Sequence, residues 1–144
     1  MEINHKFIHL RSRSSYSLAQ GAILVDELVQ LAKKDNMPAL ALTDEGNLFG
    51  ALEFSLTAVE QGIQPIMGCI LKVEVSSQVN GHDVMTPKKI SKVLLLVKNK
   101  VGWENLSSLV SKSFLDDNDG DQRPIRLEEL FKQSSGLLCL LGGL

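Results

Sequence analysis

Aromatic side chains are scarce in this sequence: Phe, Trp and Tyr make up only 5% of its 144 residues. Leu, Ile, Val and Ala must therefore supply the core, and a 44% apolar content is enough for a packed domain rather than a disordered tail. A polybasic tract is also missing. Fifteen Lys and Arg stand against 17 Asp and Glu, giving a formal charge of -2 with both signs mixed along the chain. Holding a phosphodiester backbone by bulk electrostatics needs many cations, so the charge balance argues against that class of function and leaves only a local basic patch open. Cysteine is rare as well: Cys69 and Cys139 each sit in an apolar run and form no CxxC unit. Such thiols read as small buried hydrophobes rather than zinc or redox groups. The first residues lack the apolar centre of a signal peptide, and no run reaches bilayer-spanning length. The expected compartment is the cytoplasm.

What is present is an alternation of short apolar runs with longer helical patterns. Phe7–Ser12 reads as a strand, followed by a polar loop over Arg13–Gly21. Leu24, Leu28, Leu31 and Ala32 then recur at helical spacing, with acids early and lysines late as the helix dipole prefers. Asn36-Met37-Pro38 ends that helix. Ala39–Thr43 is a compact buried strand. A helix over Phe49–Glu60 is predicted to turn Leu52, Leu56 and Val59 to one face and to stop at Gly62. Ile66–Val75 is a long strand, Ser76–Lys89 a hairpin excursion around Asn80-Gly81, and Lys92–Lys98 a strand buried on both faces. A helix over Val101–Phe114 should bury Trp103, Leu106, Val110 and Phe114. Asp116–Asp121 is an acidic surface loop, Leu127–Gln133 a short helix, and Leu137–Leu141 a last buried strand. The series implies an α/β fold with a largely parallel sheet and outer helices. A sequence stopping just after such a strand looks truncated.

In parallel α/β folds, functional groups gather at the carboxyl ends of strands. Three such ends are predicted: His9 to Ser17, Thr43-Asp44-Glu45-Gly46-Asn47, and Gly68-Cys69-Ile70. Strand alternation would put His9, Arg11 and Arg13 on one face. Two readings are open. Arg11 and Arg13 pair with Asp44 and Glu45 and brace the loops, because guanidinium binds carboxylate bidentately; or the same residues form a phosphate or metal site. His5 and His82 stand in polar surroundings and read as solvated. Ser14, Ser15 and Ser17 have no evident base partner, which argues against a serine nucleophile.

Three stretches carry a family resemblance. Phe7 to Gly21, Met37 to Phe54 and Gly62 to Cys69 resemble, in order, the first three motifs of the PHP (polymerase and histidinol phosphatase) domain in the alpha subunits of bacterial replicative, C-family polymerases. Lys92 to Leu96, Gly102 to Leu106 and Gly136 to Gly143 are similar to later parts of the same subunits. The resemblance implies the amino-terminal portion of a PHP domain, spanning residues 1–144 and truncated relative to the family: an incomplete, distorted βα (TIM-like) barrel. PHP domains carry a cup of His, Asp and Glu for up to three metal ions. Here the first-strand histidine pair falls on Arg11 and Arg13, the loop aspartate on Gln20, the Asp-His pair on Asp44 and Glu45, and the third-motif acid on Ile70. Guanidinium offers no lone pair to a metal, so a degenerate site is implied, with Arg11, Arg13, Asp44 and Glu45 as a salt-bridge cluster in its place. No catalytic residue and no cofactor is expected in this chain; in the full-length family member, Mg in the polymerase palm serves DNA synthesis. The implied partners are the remainder of the alpha subunit and the proofreading exonuclease subunit, with DNA reached through the full-length protein and no membrane. The rival readings are a metal-dependent phosphoesterase of the histidinol-phosphatase kind and a gene fragment without function.

Overall fold

The computed structural model describes residues 7–75, 89–115 and 122–141. The predicted hairpin over 76–88, the acidic loop over 116–121, and His5 and His82 lie outside the described residues. Among the described residues nine elements follow in order: α1 (Val25–Lys34), β1 (Ala39–Glu45), α2 (Ala51–Glu60), β2 (Gln64–Val75), β3 (Lys89–Val97), α3 (Lys100–Leu115), β4 (Ile125–Arg126), α4 (Leu127–Lys132) and β5 (Leu137–Leu140). The chain divides into two compact units, Met1–Cys69 and Ile70–Leu144, and the division falls within β2.

The first unit is a strand–helix–strand crossover with α1 ahead of it. Gln64 donates its N–H to the Pro38 carbonyl at 3.0 Å, which joins the amino ends of β1 and β2, so the two strands run parallel with α2 between them. Six of the seven β1 residues are buried, as a strand covered on both faces requires. Both helices end in the same motif. After α1, Met37 N–H reaches the Ala32 carbonyl and Asn36 N–H the Lys33 carbonyl, with Asn36 left-handed at φ 56°. After α2, Ile63 and Gly62 repeat this on Ala58 and Val59, with Gly62 at φ 76°. These are Schellman closures. Gly62 therefore occupies its predicted place, whereas α1 is stopped by Asn36 rather than by the proline two residues later.

The core of this unit is Val25, Val29, Ala32, Leu40, Leu42, Phe54, Ala58 and Ile63. Those residues show which face of each helix is buried. On α1, Val25, Val29 and Ala32 are buried, while Leu24 and Leu31 of the predicted stripe are exposed. On α2 the small residues Ala51 and Ala58 flank Phe54 on the buried side, and Leu52, Leu56 and Val59 are 64–72% exposed. Two alanines let α2 lie close to its neighbours, and one aromatic ring fills the space between. An apolar pattern that runs nearly all round a helix does not say which side turns inward.

The predicted first strand is not a regular one. Its backbone does run along β1, since Ala41 N–H donates to the His9 carbonyl and Thr43 N–H to the Ser12 carbonyl. Three residues on one side match two on the other, so one residue is left over and the ladder is broken as in a bulge. Likewise Gly68-Cys69-Ile70, predicted as a strand end, lies in the middle of β2.

In the second unit β2 continues beside β3 and pairs in parallel with β4, Val73 opposite Ile125. β5 pairs with β3 antiparallel, Leu95 opposite Cys139. The last strand was expected to be buried and parallel; it is antiparallel and mostly exposed, with Leu138 and Leu140 at 50% and 40%. The sheet is therefore mixed. On α3, Leu106, Leu109 and Val110 are buried, whereas Trp103 and Phe114, expected inside, are 37% and 48% exposed. Gly102 is buried because α3 begins against the backbone of Gly136, where a Cβ would strike the Gly136 carbonyl. Neither unit closes a barrel among the described residues.

Candidate functional site

The second-to-last residue of β1, Asp44, is 2% exposed. A buried carboxylate must have its oxygens satisfied, and here the donors come from the Arg13–Gly21 loop. Ser14 N–H and Ser17 Oγ donate to Asp44 Oδ1 at 2.7 and 2.6 Å, and Ser14 Oγ donates to Oδ2 at 2.7 Å. Ser14 and Ser17 are themselves buried. The Ser14 hydroxyl also accepts from Tyr16 N–H at 3.2 Å, and the Ser17 hydroxyl accepts from Glu45 N–H at 3.1 Å. The loop folds tightly enough to do this because Gly21 packs against the Ser14 carbonyl, where a Cβ could not fit.

Asn47 ties the other side of the loop. Its Nδ2 donates to the carbonyls of Tyr16 and Glu45 at 3.0 and 3.1 Å, and its Oδ1 accepts from Phe49 N–H at 3.1 Å. Gly46, at φ 73°, makes the turn between. Tyr16 donates its hydroxyl to Glu53 at 2.9 Å; that hydrogen bond and the nearby charge raise the phenol above its ordinary pKa. Thr43 Oγ1 accepts from Ser12 N–H and donates to the Ser12 carbonyl, both at 3.1 Å. Cys69, fully buried, has its thiol pushed up to about 12 by burial, against the opposing pull of the Gly46 and Asn47 N–H groups.

The predicted site residues fall as follows. Arg13 stands 3.6 Å from Glu45, side chains 24% and 13% exposed, an ion pair longer than a hydrogen bond. Arg13 Nε is buried and makes no hydrogen bond among the described residues. Arg11 is exposed, as is Gln20. His9 is exposed too, its ring edge-on to Phe7 with centroids 4.7 Å apart. Ile70 is fully buried in the second unit. The structure thus joins Arg13 with Glu45 but holds Asp44 with serines. Ser14, Ser17 and Asn47 were missed as partners of this site. The signal was available: two hydroxyls three residues apart in a turn-forming loop suit the capture of a carboxylate as well as they suit a nucleophile.

A metal cup of the PHP kind asks for lone pairs, and the groups here do not fit it. Asp44 is surrounded by N–H and O–H donors, a guanidinium stands beside Glu45, and among the described residues no three His, Cys, Asp or Glu side chains come together. The cavity bordered by Asp44, Asn47 and Met67 measures about 10 Å³, the size of one water and not of a phosphoester. Both serine hydroxyl protons are committed to Asp44, and neither oxygen is open to a substrate.

A parallel strand–helix–strand unit with a carboxylate at the end of its first strand is an α/β domain of the strand-end type. Residues 9–144 match the PHP domain family, and the chain belongs to that family. In sequence it is similar to the amino-terminal region of DNA polymerase III alpha subunits. It is 38% identical over 135 residues to that of Rickettsia felis, covering 94% of this chain and 10% of the relative. To that of Borreliella burgdorferi it is 39% identical over 147 aligned positions, covering 100% and 13%. The chain thus spans about a tenth of the length of the curated relatives it matches. Among solved structures it is similar to an amidohydrolase from Chromobacterium violaceum, at 23% identity and a TM-score of 0.49, covering 74% of this chain and 32% of the other. No helix among the described residues is long and apolar enough to cross a membrane.

Proposed function

We propose that this chain is the amino-terminal PHP segment of a cytoplasmic replicative DNA polymerase alpha subunit and serves there as a non-catalytic structural and docking module. The observation that carries this reading is the saturation of Asp44 by Ser14 and Ser17. Where a metal-binding member would place imidazole and carboxylate lone pairs, this chain has hydroxyl, amide and guanidinium donors, which hold a lone carboxylate and repel a cation. The site has become a brace between the loop after the first segment and the end of β1. No cofactor is required by the chain itself. The polymerase reaction, template-directed addition of deoxynucleotides, belongs on this reading to a palm with bound Mg elsewhere in the alpha subunit. The remainder of that subunit and the proofreading exonuclease subunit are the partners, and DNA is met only through the whole protein.

The test is metal content and phosphoesterase turnover of the purified chain, with manganese or zinc added, after a cooperative melt has been recorded. A folded sample without stoichiometric metal and without turnover is the expected outcome. Stoichiometric metal together with hydrolysis would overturn the reading in favour of a metal-dependent phosphoesterase.

A further inference from the structure

The outward face of α2 is apolar in a pattern that a solvated helix does not need. Leu52, Leu56 and Val59 are 72%, 64% and 65% exposed, and Phe49, just before the helix, is 66% exposed. The intervals of three, four and three residues are those of the a and d positions of a helix-packing seam. The inward face, Ala51, Phe54 and Ala58, already serves the core on the opposite side. A run of apolar side chains at that spacing on the solvent side marks a contact surface.

Its borders say what it contacts. At 100° per residue, Glu53 and Glu60 lie together along one edge of the stripe, in the two e positions, and both are exposed. Beyond them on the same side, Asp26 of α1 accepts from Thr57 Oγ1 of α2 at 3.3 Å, so a third carboxylate lines that edge. The other edge carries Ser55. α2 has no basic residue, and Lys33 of α1 donates to Gln61 just past the end of the helix. Residues at e and g set partner choice through opposite charges. A second copy of this chain offers that edge no cation: antiparallel pairing of two such stripes brings their acidic edges together, and parallel pairing sets each acidic edge against Ser55.

We infer that the Leu52–Leu56–Val59 face of α2, with Phe49, is a docking site for an amphipathic helix of a partner protein that carries Lys or Arg beside its own apolar stripe. The partner helix lays its a and d side chains between these leucines, and its cations meet Glu53, Glu60 and Asp26. This deepens the docking-module reading and rests on it.

The probe is a three-heptad peptide with Leu at a and d and Lys at e and g, titrated into the full chain, with a twin in which Glu replaces every Lys. The Lys peptide is expected to bind at least about tenfold more tightly than its twin. The double variant L52S/L56S should melt like the wild type and lose the binding. E53Q/E60Q should keep it but narrow the preference to within about threefold, and E128Q, a carboxylate removed from α4, should leave the preference unchanged. Equal binding of both peptides, no binding of either, or wild-type affinity in L52S/L56S would each overturn the proposal. Sedimentation decides the remaining occupant: a dimer that L52S/L56S dissolves would make the face a contact between copies and sink the partner-helix assignment. Metal and turnover are read on the same preparation. Turnover with intact, charge-selective binding would defeat the non-catalytic reading alone, and absence of both would defeat the docking surface alone.

Discussion

Ser14 grips Asp44 with two atoms at once: its backbone N–H lies 2.7 Å from Oδ1 and its hydroxyl 2.7 Å from Oδ2. The pair spans 30 residues of sequence and is buried, so together with Ser17 and Asn47 it fastens the loop to the end of β1.

Removing that carboxylate should be expensive. Asp44→Ala leaves two buried hydroxyls and an amide without their acceptor, and should cost about 3 kcal/mol. Arg13→Ala breaks only a partly exposed ion pair and should cost under about 1 kcal/mol. Urea unfolding followed by far-ultraviolet circular dichroism measures both, and a larger loss for the arginine would contradict the arrangement described.

The orientation of α2 gives a second contrast. Phe54→Ala opens the core of the first unit and should cost about 3–5 kcal/mol. Leu56→Ala, on the outward face, should fall within about 0.5 kcal/mol of the wild type. Comparable losses at the two positions would mean that the helix is turned the other way.

Glu129 supplies the pH dependence. Arg123 holds it with two hydrogen bonds, 3.0 and 3.1 Å, and Arg126 N–H adds a third at 2.9 Å; the Arg123 contact is the main reason its carboxyl titrates below the ordinary Glu value. A lowered folded pKa adds stability that is complete above the unfolded value of about 4.3 and disappears as pH falls through the folded one. Wild type should therefore exceed E129Q by about 1 kcal/mol at pH 7. The gap should hold down to about pH 5 and close below it. Urea midpoints of the two proteins across that range would show it, and a gap independent of pH would rule it out.

The two cysteines should separate under alkylation. Cys69 is buried with its thiol raised to about 12, so almost none is thiolate at pH 8, while Cys139 is exposed on β5. Iodoacetamide should modify Cys139 in the native chain and Cys69 only in denaturant, as peptide mass spectrometry would record. Equal rates at both positions would mean that Cys69 is not in the core.

The alternation of elements was legible in the sequence because it depends on local chemistry. Val93–Val97 could hardly be anything but a buried strand, Gly62 had to be a left-handed stop, and Asp44 sits where a parallel strand delivers a side chain. Arg13 and Glu45 were likewise foreseeable as neighbours, since opposite charges were placed at adjoining strand ends. Other features depended on which surfaces met. Leu52, Leu56 and Val59 look more core-like than Ala51 and Ala58 by composition, yet the close approach of α1 to α2 favours the small residues and turns the leucines out. β5 reads as a buried parallel strand from its leucines, yet it pairs antiparallel with β3 and is mostly exposed. The capture of Asp44 by Ser14 and Ser17 was a tertiary decision too. A hydroxyl's preference for its own backbone or for a distant carboxylate is settled only when one extra residue in the first segment, and a glycine at 21, bring the loop within 3 Å of the strand end. The sequence by itself determined most of the elements and their order, because helix stops, strand runs and turns are local. Which helix faces are buried, and what holds the buried Asp44 carboxylate, were decided by tertiary structure, because packing distance and burial exist only once the elements have met.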